Sequence, residues 1–597
     1  MHRQTSVRST CVPRHGASHA NQMPHRSRGG HGRRLGAPGQ LAGLAAVVMA
    51  TAGCTGDNIT YGPDGPAGES GPAGQAGAPG TAHDDLSTWD AVIAGIGGQA
   101  ALDGLTGFTV QATGVRRMTG EGLTPGDPPL AVDRFQITTH VDLDGDAMRV
   151  DWNRTALFFG GAPLSYSEII NGNLGYVDGD DSALDPDAST TDMPSARWAA
   201  VRKQVRLTNP HVLLAAISAN PGLISAGSPT MHHGAVHPVL EVADDVYPIS
   251  LAVDPSTGHI AKLSTMENDH LHRDILIEVE FHDWTYDPDG GAAFPMTVLL
   301  SVNGHVWHEE YRTTVTQDPG FTNEFDFPDG ANPTYDPDAA DWGAKSHQFI
   351  QGFSSLGITH NAQQLAIVPT LLTDGVFFLG GSSHNSMAVE QENGVVIIEA
   401  PLYPERSEAI LAWVAAEPSF DGKSVTHLVV THHHHDHSAG FRPFVAAGAR
   451  IVVSAASAGF LANLTSQPST VVPDALAATP RAANLLPVTV NPGGFGTRVL
   501  PTSPPLANVI AIQFHSTHAK DMLIAFVDVP NTGADYLFES DLFSPDPSGT
   551  GSALSPVYAQ ELLDVINNFG LNQPGVTLVG GHGSHAPLTQ LEAYLNP

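Results

Sequence analysis

Cysteine is almost missing from this chain: Cys11 and Cys54 are the only two in 597 residues. A disulfide framework is therefore excluded. If processing removes the first cysteine and modifies the second, the remaining body carries no free thiol and tolerates oxidising surroundings. Basic residues are scarce too. Lys and Arg number 27 against 61 Asp and Glu, a formal charge of −34, which repels a phosphate backbone and argues against nucleic acid as a partner. The apolar run Leu41–Ala50 stops well short of the roughly 20 residues that a spanning helix needs. What the chain does have is apolar content, 41% of a length well beyond the size of a single core, so at least two domains are expected.

Residues 1–53 carry Arg3, Arg8, Arg14, Arg26, Arg28, Arg33 and Arg34, no acidic residue, and then the short apolar run. This is the pattern of a targeting leader. It ends in Thr51-Ala52-Gly53-Cys54, which resembles a bacterial lipoprotein processing site. The expectation is export to the cell envelope with Cys54 lipidated, held at the periplasmic face or cell surface through the lipid anchor only. The alternative is a simply cleaved, secreted product. Loss of the leader leaves 20 basic residues against 61 acidic ones. From Gly62 to Gly80 glycine recurs every third residue, with Pro63, Pro66, Pro72 and Pro79 between. This collagen-like stretch, within residues 54–83, reads as an extended solvated tether.

Residues 84–319 change character. Phe135–Thr139, Met148–Trp152, Ile275–Phe281, Met296–Leu300 and His305–Trp307 read as strands. Turns at Asp144-Gly145, Asp289-Gly290-Gly291 and Asn303-Gly304 punctuate them, so a mainly antiparallel, curved sheet is predicted. One helical stretch is expected near Ala196–Val205. The region is similar in general look to sheet domains of exported lipoproteins that cup apolar ligands. Its acidic loop (Asp178, Asp180, Asp181, Asp185, Asp187, Asp192) lacks the ligand spacing of a calcium loop and reads as solvated. His232, His233, His237, His270 and His272 read as surface residues, and no catalytic role is assigned here. Residues 320–360 form a Pro/Asp/Gly-rich linker and a short helix around Ala339–Phe353.

Residues 361–597 alternate strands and helices, which predicts a layered α/β core. Gly375–Leu379, Ser386–Glu390 and Gly394–Ala400 are strands, with an Asn393-Gly394 turn, and a helix opens at Pro404 and runs through Trp413. The apolar stretch His427–Val430 then delivers Thr431-His432-His433-His434-His435-Asp436-His437-Ser438-Ala439-Gly440. In an extended segment His432 and His434 share a face and converge on one ion; Asp436 and His437, past the bend, reach a second. Imidazoles joined by a carboxylate suit zinc or iron.

Thr-His-x-His-x-Asp-His with a following Gly resembles the signature of the metallo-β-lactamase-fold hydrolase superfamily. The resemblance implies an αββα sandwich for residues 361–597. It further implies that His518, before the strand Met522–Val527, completes the first ion's set with His432 and His434, with His515 as the weaker choice. Asp541, just past the strand at Tyr536, then bridges the ions, and His582, in a Gly-flanked turn after Val576–Val579, joins Asp436 and His437 on the second. His433 and His435 are not ligands in this scheme. His384, in Gly380–Asn385, is expected to overhang the site and contact substrate.

The resemblance implies two divalent ions, zinc before iron or manganese, with Asp436 and Asp541 as the catalytic carboxylates. An aspartate at the bridging position departs from lactamases proper and resembles the thioesterase, lactonase, sulfatase and phosphodiesterase branches. The expected function is hydrolysis of a small-molecule or lipid-like ester, lactone or thioester. Two alternatives stay open: a mononuclear-iron oxygenase of the same fold using His432, His434 and Asp541 or a similar subset, and a non-catalytic surface binding lipoprotein. Metal identity and turnover discriminate among the three.

Overall fold

The structure is a computed structural model that describes residues 85–184, 191–243, 247–286 and 291–596. The leader, Cys54, the collagen-like repeat, Asp185, Asp187 and the Asp289-Gly290 turn lie outside the described residues.

Alternating apolar residues build one antiparallel sheet of thirteen strands between Gly107 and Gln317. Along Leu130–Asp142, Phe135, Ile137 and Val141 are buried while Arg134 and Gln136 are exposed, the period of two that places every second side chain on one face. The turns at Asp144-Gly145 and Asn303-Gly304 join Leu130–Asp142 to Ala147–Ala156 and Thr297–Val302 to His305–Gln317. The first strand, Gly107–Met118, pairs with the last, His305–Gln317, so two meanders meet in mid-sheet.

The single helix expected here is the longest of several. Ser195–Thr208 is followed directly by Pro210–Ala219, with Asp85–Gly95 and Gln99–Gly104 before the sheet. These helices cover the apolar face: Val201 and Val205 pack with Phe135, Ile137 and Trp152, and Leu213, Leu214 and Ile217 with Leu251, Ile277 and Leu300. Sequence missed Pro210–Ala219 because PHVLLAAISA is apolar almost throughout and shows no helical stripe.

Two helices, Pro337–Lys345 and His347–Leu356, occupy the stretch where one was expected. The first lies so close to Ser195–Thr208 that a Cβ built on Gly343 would stand 2.0 Å from the Ala196 carbonyl oxygen. Gly343→Ala is thus expected to destabilise by about 1–3 kcal/mol despite alanine's better helix propensity. Urea unfolding of the variant measures it, and an unchanged midpoint would refute the close approach.

The C-terminal region is a mixed α/β sandwich of a seven-stranded and a six-stranded sheet. Neighbouring residues of one strand face different layers. Phe377, Val395 and Ile397 pack outward with Ile410, Val414 and Phe444 of the covering helices, whereas Phe378, Val396 and Ile398 pack inward with Val509, Val527 and Phe538 of the second sheet. That sheet's outer face, Ile512, Ile524 and Leu537, is covered by Leu562, Val565 and Leu591 from Pro556–Phe569 and Thr589–Leu595. Gly394–Ile398, Val425–Val429, Arg450–Ser454 and Asn484–Val488 are mutually parallel, an arrangement that gathers functional loops at the strands' C-terminal ends.

The thirteen-stranded sheet docks directly on this sandwich. Leu271 is buried within the sandwich's outer core, and the Asp274 carboxylate accepts from the Thr470 and Val471 amides at 2.8–3.0 Å. The expectation of surface histidines in this region needs correcting. His270 is buried against Trp342, Phe349 and Tyr403, His272 is largely covered, and His237 is buried; His233 alone of the set is open to solvent. Aromatic surfaces far apart in sequence close over His270 and His272, which no local pattern announces.

Candidate metal centre

Every residue of the expected ligand set lies just past the C-terminal end of a strand, at one edge of the sandwich. Val425–Val429 leads to His432, Asn508–Phe514 to His518, Tyr536–Ser540 to Asp541 and Thr577–Gly580 to His582. His434 is the last extended residue (φ −55°, ψ 145°), and His435–Ser438 makes one helical turn. That bend divides the histidine-rich run into two donor pairs.

Two clusters result. His432, His434, His518 and Asp541 bring four donor atoms within 4.8 Å of one another, and His384, Asp436, His437 and His582 do the same. Asp541 joins them: Oδ2 lies 3.0 Å from His518 Nε2, while Oδ1 lies 3.0 Å from His437 Nε2 and 2.8 Å from His582 Nε2. His518 is chosen over His515, whose Nδ1 instead bonds the Lys520 carbonyl at 2.8 Å. His384 sits within the second cluster rather than above it. Its Nε2 is 3.1 Å from Asp436 Oδ2, and Ser383 Oγ holds its Nδ1 at 2.9 Å. Arg406, buried beneath, donates to the carbonyls of Gly380 and His384 at 3.2 Å and fixes this loop. Neither His433 nor His435 enters a cluster: His433 Nδ1 bonds Asp521 Oδ1 at 2.7 Å, and His435 Nε2 lies 3.3 Å from Asp269 of the thirteen-stranded sheet region.

A buried polar frame holds these side chains, and the sequence analysis did not single it out. Glu399 accepts from Thr431 Oγ1 at 2.7 Å and Ser540 Oγ at 2.9 Å, and its other oxygen meets His437 Nδ1, which leaves His437 Nε2 facing the cluster. Glu399 and Ser540 both hold positive φ (74° and 64°), a backbone strain of about 1–3 kcal/mol each of the kind found at ligand-holding sites. Asn385 ties the His582 loop in place through the carbonyls of Gly580, Gly581 and Gly583. The one hint of Glu399 was its place at the end of a strand that parallel pairing buries.

Electrostatics suit a cation. Burial, and then neighbouring imidazoles, hold His432 and His434 well below the ordinary histidine range; burial and His582 push His384 down to about 3. These rings are neutral, with lone pairs available. Burial opposes charge on Asp541 and Asp436, but His437 foremost among their neighbours keeps both carboxylates well below their usual range. Neutral imidazoles and ionised carboxylates are the donor forms that zinc and related ions bind. The clusters are nearly sealed. Solvent reaches them mainly at His582 and Asp436, whose side chains are 30% and 14% exposed.

The third wall comes from the thirteen-stranded sheet region. The segment after Gly107–Met118 lays Gly120, Glu121 and Gly122 against the histidine run. Gly120 O accepts from the His435 amide at 3.2 Å, and Gly122 O lies 2.9 Å from His434 Nε2. Sequence assigned this region no part in the site.

The family model of the metallo-beta-lactamase superfamily matches residues 379–486, which contain the histidine run. Among solved structures, a metallo-beta-lactamase from Erythrobacter litoralis with beta-mercaptoethanol in its active site is 19% identical, covering 38% of this chain and 95% of that one, with a TM-score of 0.28. One from Pontibacter korlensis is 16% identical over 39% of this chain and 98% of that one, TM-score 0.27. FIM-1 from Pseudomonas aeruginosa, in a mono-zinc form, is 16% identical over 39% and 95%, TM-score 0.28. No curated protein matches the chain. The segment 379–486, with its histidine run, belongs to the metallo-beta-lactamase superfamily.

Proposed function

We propose that this protein is a hydrolase that works with two divalent metal ions, zinc foremost, on an ester, lactone or thioester. The observation that carries the reading is Asp541: one carboxylate turns an oxygen towards each donor cluster. His432, His434 and His518 would hold one ion and Asp436, His437 and His582 the other, with His384 a further imidazole of the second set. Such a pair of ions lowers the pKa of bound water towards neutrality and polarises an acyl oxygen.

The chain's own residues would do the rest. Glu399 fixes which nitrogen His437 presents. Asp436 Oδ1 has no hydrogen-bond partner although it is buried beside the mouth, so it can orient the attacking water and take its proton. Near-complete enclosure keeps bulk water from the other donors, which strengthens each electrostatic contact. An aspartate rather than a cysteine between the clusters, together with the acidic charge of the chain, favours neutral acyl substrates over phosphate backbones.

Elemental analysis of the purified full chain, followed by a panel of esters, lactones and thioesters, tests the reading. Two zinc per chain with turnover of at least one class is expected. Stoichiometric metal with no turnover anywhere in the panel would sink it in favour of a binding role, and one iron per chain would favour oxygen chemistry.

A further inference from the structure

We propose that Glu121, carried by the thirteen-stranded sheet region, is an additional oxygen donor at the metal centre beside His434, so that the centre is built from both parts of the chain. The inference rests on the metal-centre reading above and extends it to a residue outside the sandwich.

Three contacts place the segment. The His435 amide donates to Gly120 O at 3.2 Å, the Lys520 amide donates to Leu123 O at 2.9 Å, and His434 Nε2 meets Gly122 O at 2.9 Å. Gly120 has φ +89°, a conformation open to glycine, and with it the chain turns flat against the histidine run. A carbonyl oxygen only accepts, so His434 Nε2 carries the proton and Nδ1 presents a lone pair. Facing that lone pair, 3.8 Å away, is Glu121 Oε2.

At that distance the two groups make no hydrogen bond with each other. Glu121 Oε1 is buried and has no partner, and the Glu121 side chain is only 4% exposed. An unpaired buried carboxyl group is costly unless a cation or a donor meets it. Its donor atom also falls within 4.8 Å of those of His434 and Asp436, one residue from each cluster. Two donors each about 2.0–2.2 Å from a single ion lie about 3–4 Å apart. The spacing of Glu121 and His434 satisfies that condition, and one cation answers both unpaired groups.

The test uses the full chain, stripped of metal and titrated with zinc and with cobalt(II), as wild type and as Glu121→Gln, which keeps the side chain's size. Expected are a loss of about tenfold or more in affinity for one of the two ions and an altered visible spectrum of bound cobalt(II). The urea midpoint of the metal-free variant should be equal to or higher than that of metal-free wild type. Unchanged affinity and spectrum in a wild type that binds two ions would overturn the inference and leave the metal-centre reading standing. A lowered metal-free midpoint with unchanged affinity would assign Glu121 a packing role and overturn it as well. A wild type that takes up neither metal would remove both readings.

Discussion

Replacing Asp541 by alanine is expected to lower bound zinc from two per chain towards one or fewer and to reduce hydrolysis by on the order of a thousandfold or more, about 4 kcal/mol of transition-state stabilisation. The size follows from geometry. This side chain touches His437, His518 and His582 within 2.8–3.0 Å, so its loss unbalances both donor clusters at once. It also leaves His582 without the carboxylate that most raises it above the ordinary histidine range against the effect of burial, and His437 without one of the acids, Asp436 first, that do the same. Asp541→Asn separates the two contributions: it keeps the shape but removes the charge, and it should lose metal nearly as badly. Elemental analysis and initial rates decide the matter. A variant that kept two ions and full activity would remove Asp541 from the centre and the binuclear reading with it.

Metal-free protein is expected to lose stability steeply below pH 6.5, for reasons that lie in histidines outside the two clusters. His211 is buried in the sheet region, stacked 3.7 Å from Phe294, with Nε2 bonded to the Ala293 carbonyl at 2.8 Å; burial pushes its pKa down to about 3. His360 lies between Phe349 and Phe353, and burial pushes it down to about 4. Each therefore has a folded pKa below its unfolded value of about 6.5. Below pH 6.5 the unfolded chain takes up protons that the native state refuses, so stability is intact above that pH and falls as acid is added. At pH 5 each ring costs about 2 kcal/mol, and together they consume a large part of a typical 5–15 kcal/mol. His270, His272 and His347 are shifted in the same direction, also first through burial, and steepen the fall. Urea midpoints at pH 7.5 and pH 5 measure the effect, and His211→Gln should flatten it. Equal midpoints at the two pH values would show that these rings are not held neutral.

These two results draw on different depths of information. The residues around Asp541 were legible in sequence through the resemblance of Thr431–Gly440 to a family signature, which implied His518, Asp541 and His582, each just past a short apolar strand. Local pattern also marked most strands of the sandwich and the hairpins at Asp144-Gly145 and Asn303-Gly304. His384 was read as a substrate contact because its loop was expected to overhang the site; its approach to Asp436 and His582 puts it within the second cluster.

By itself the sequence determined the class of the C-terminal fold, the antiparallel character of the preceding sheet and which histidines and aspartates follow the strands whose ends gather at one edge of the sandwich. Periodicity, turn residues and ligand spacing are encoded within a few residues of one another. Tertiary structure alone decided that Glu399 and Asp521 brace the histidine run, that His270 and His211 are buried, and that Gly120, Glu121 and Gly122 close over the donors. Those contacts join residues tens to hundreds of positions apart. The partner that gives each one its meaning is brought to it by the folding of the sandwich or of the sheet region and, for Gly120, Glu121 and Gly122, only when the sheet region docks on the sandwich.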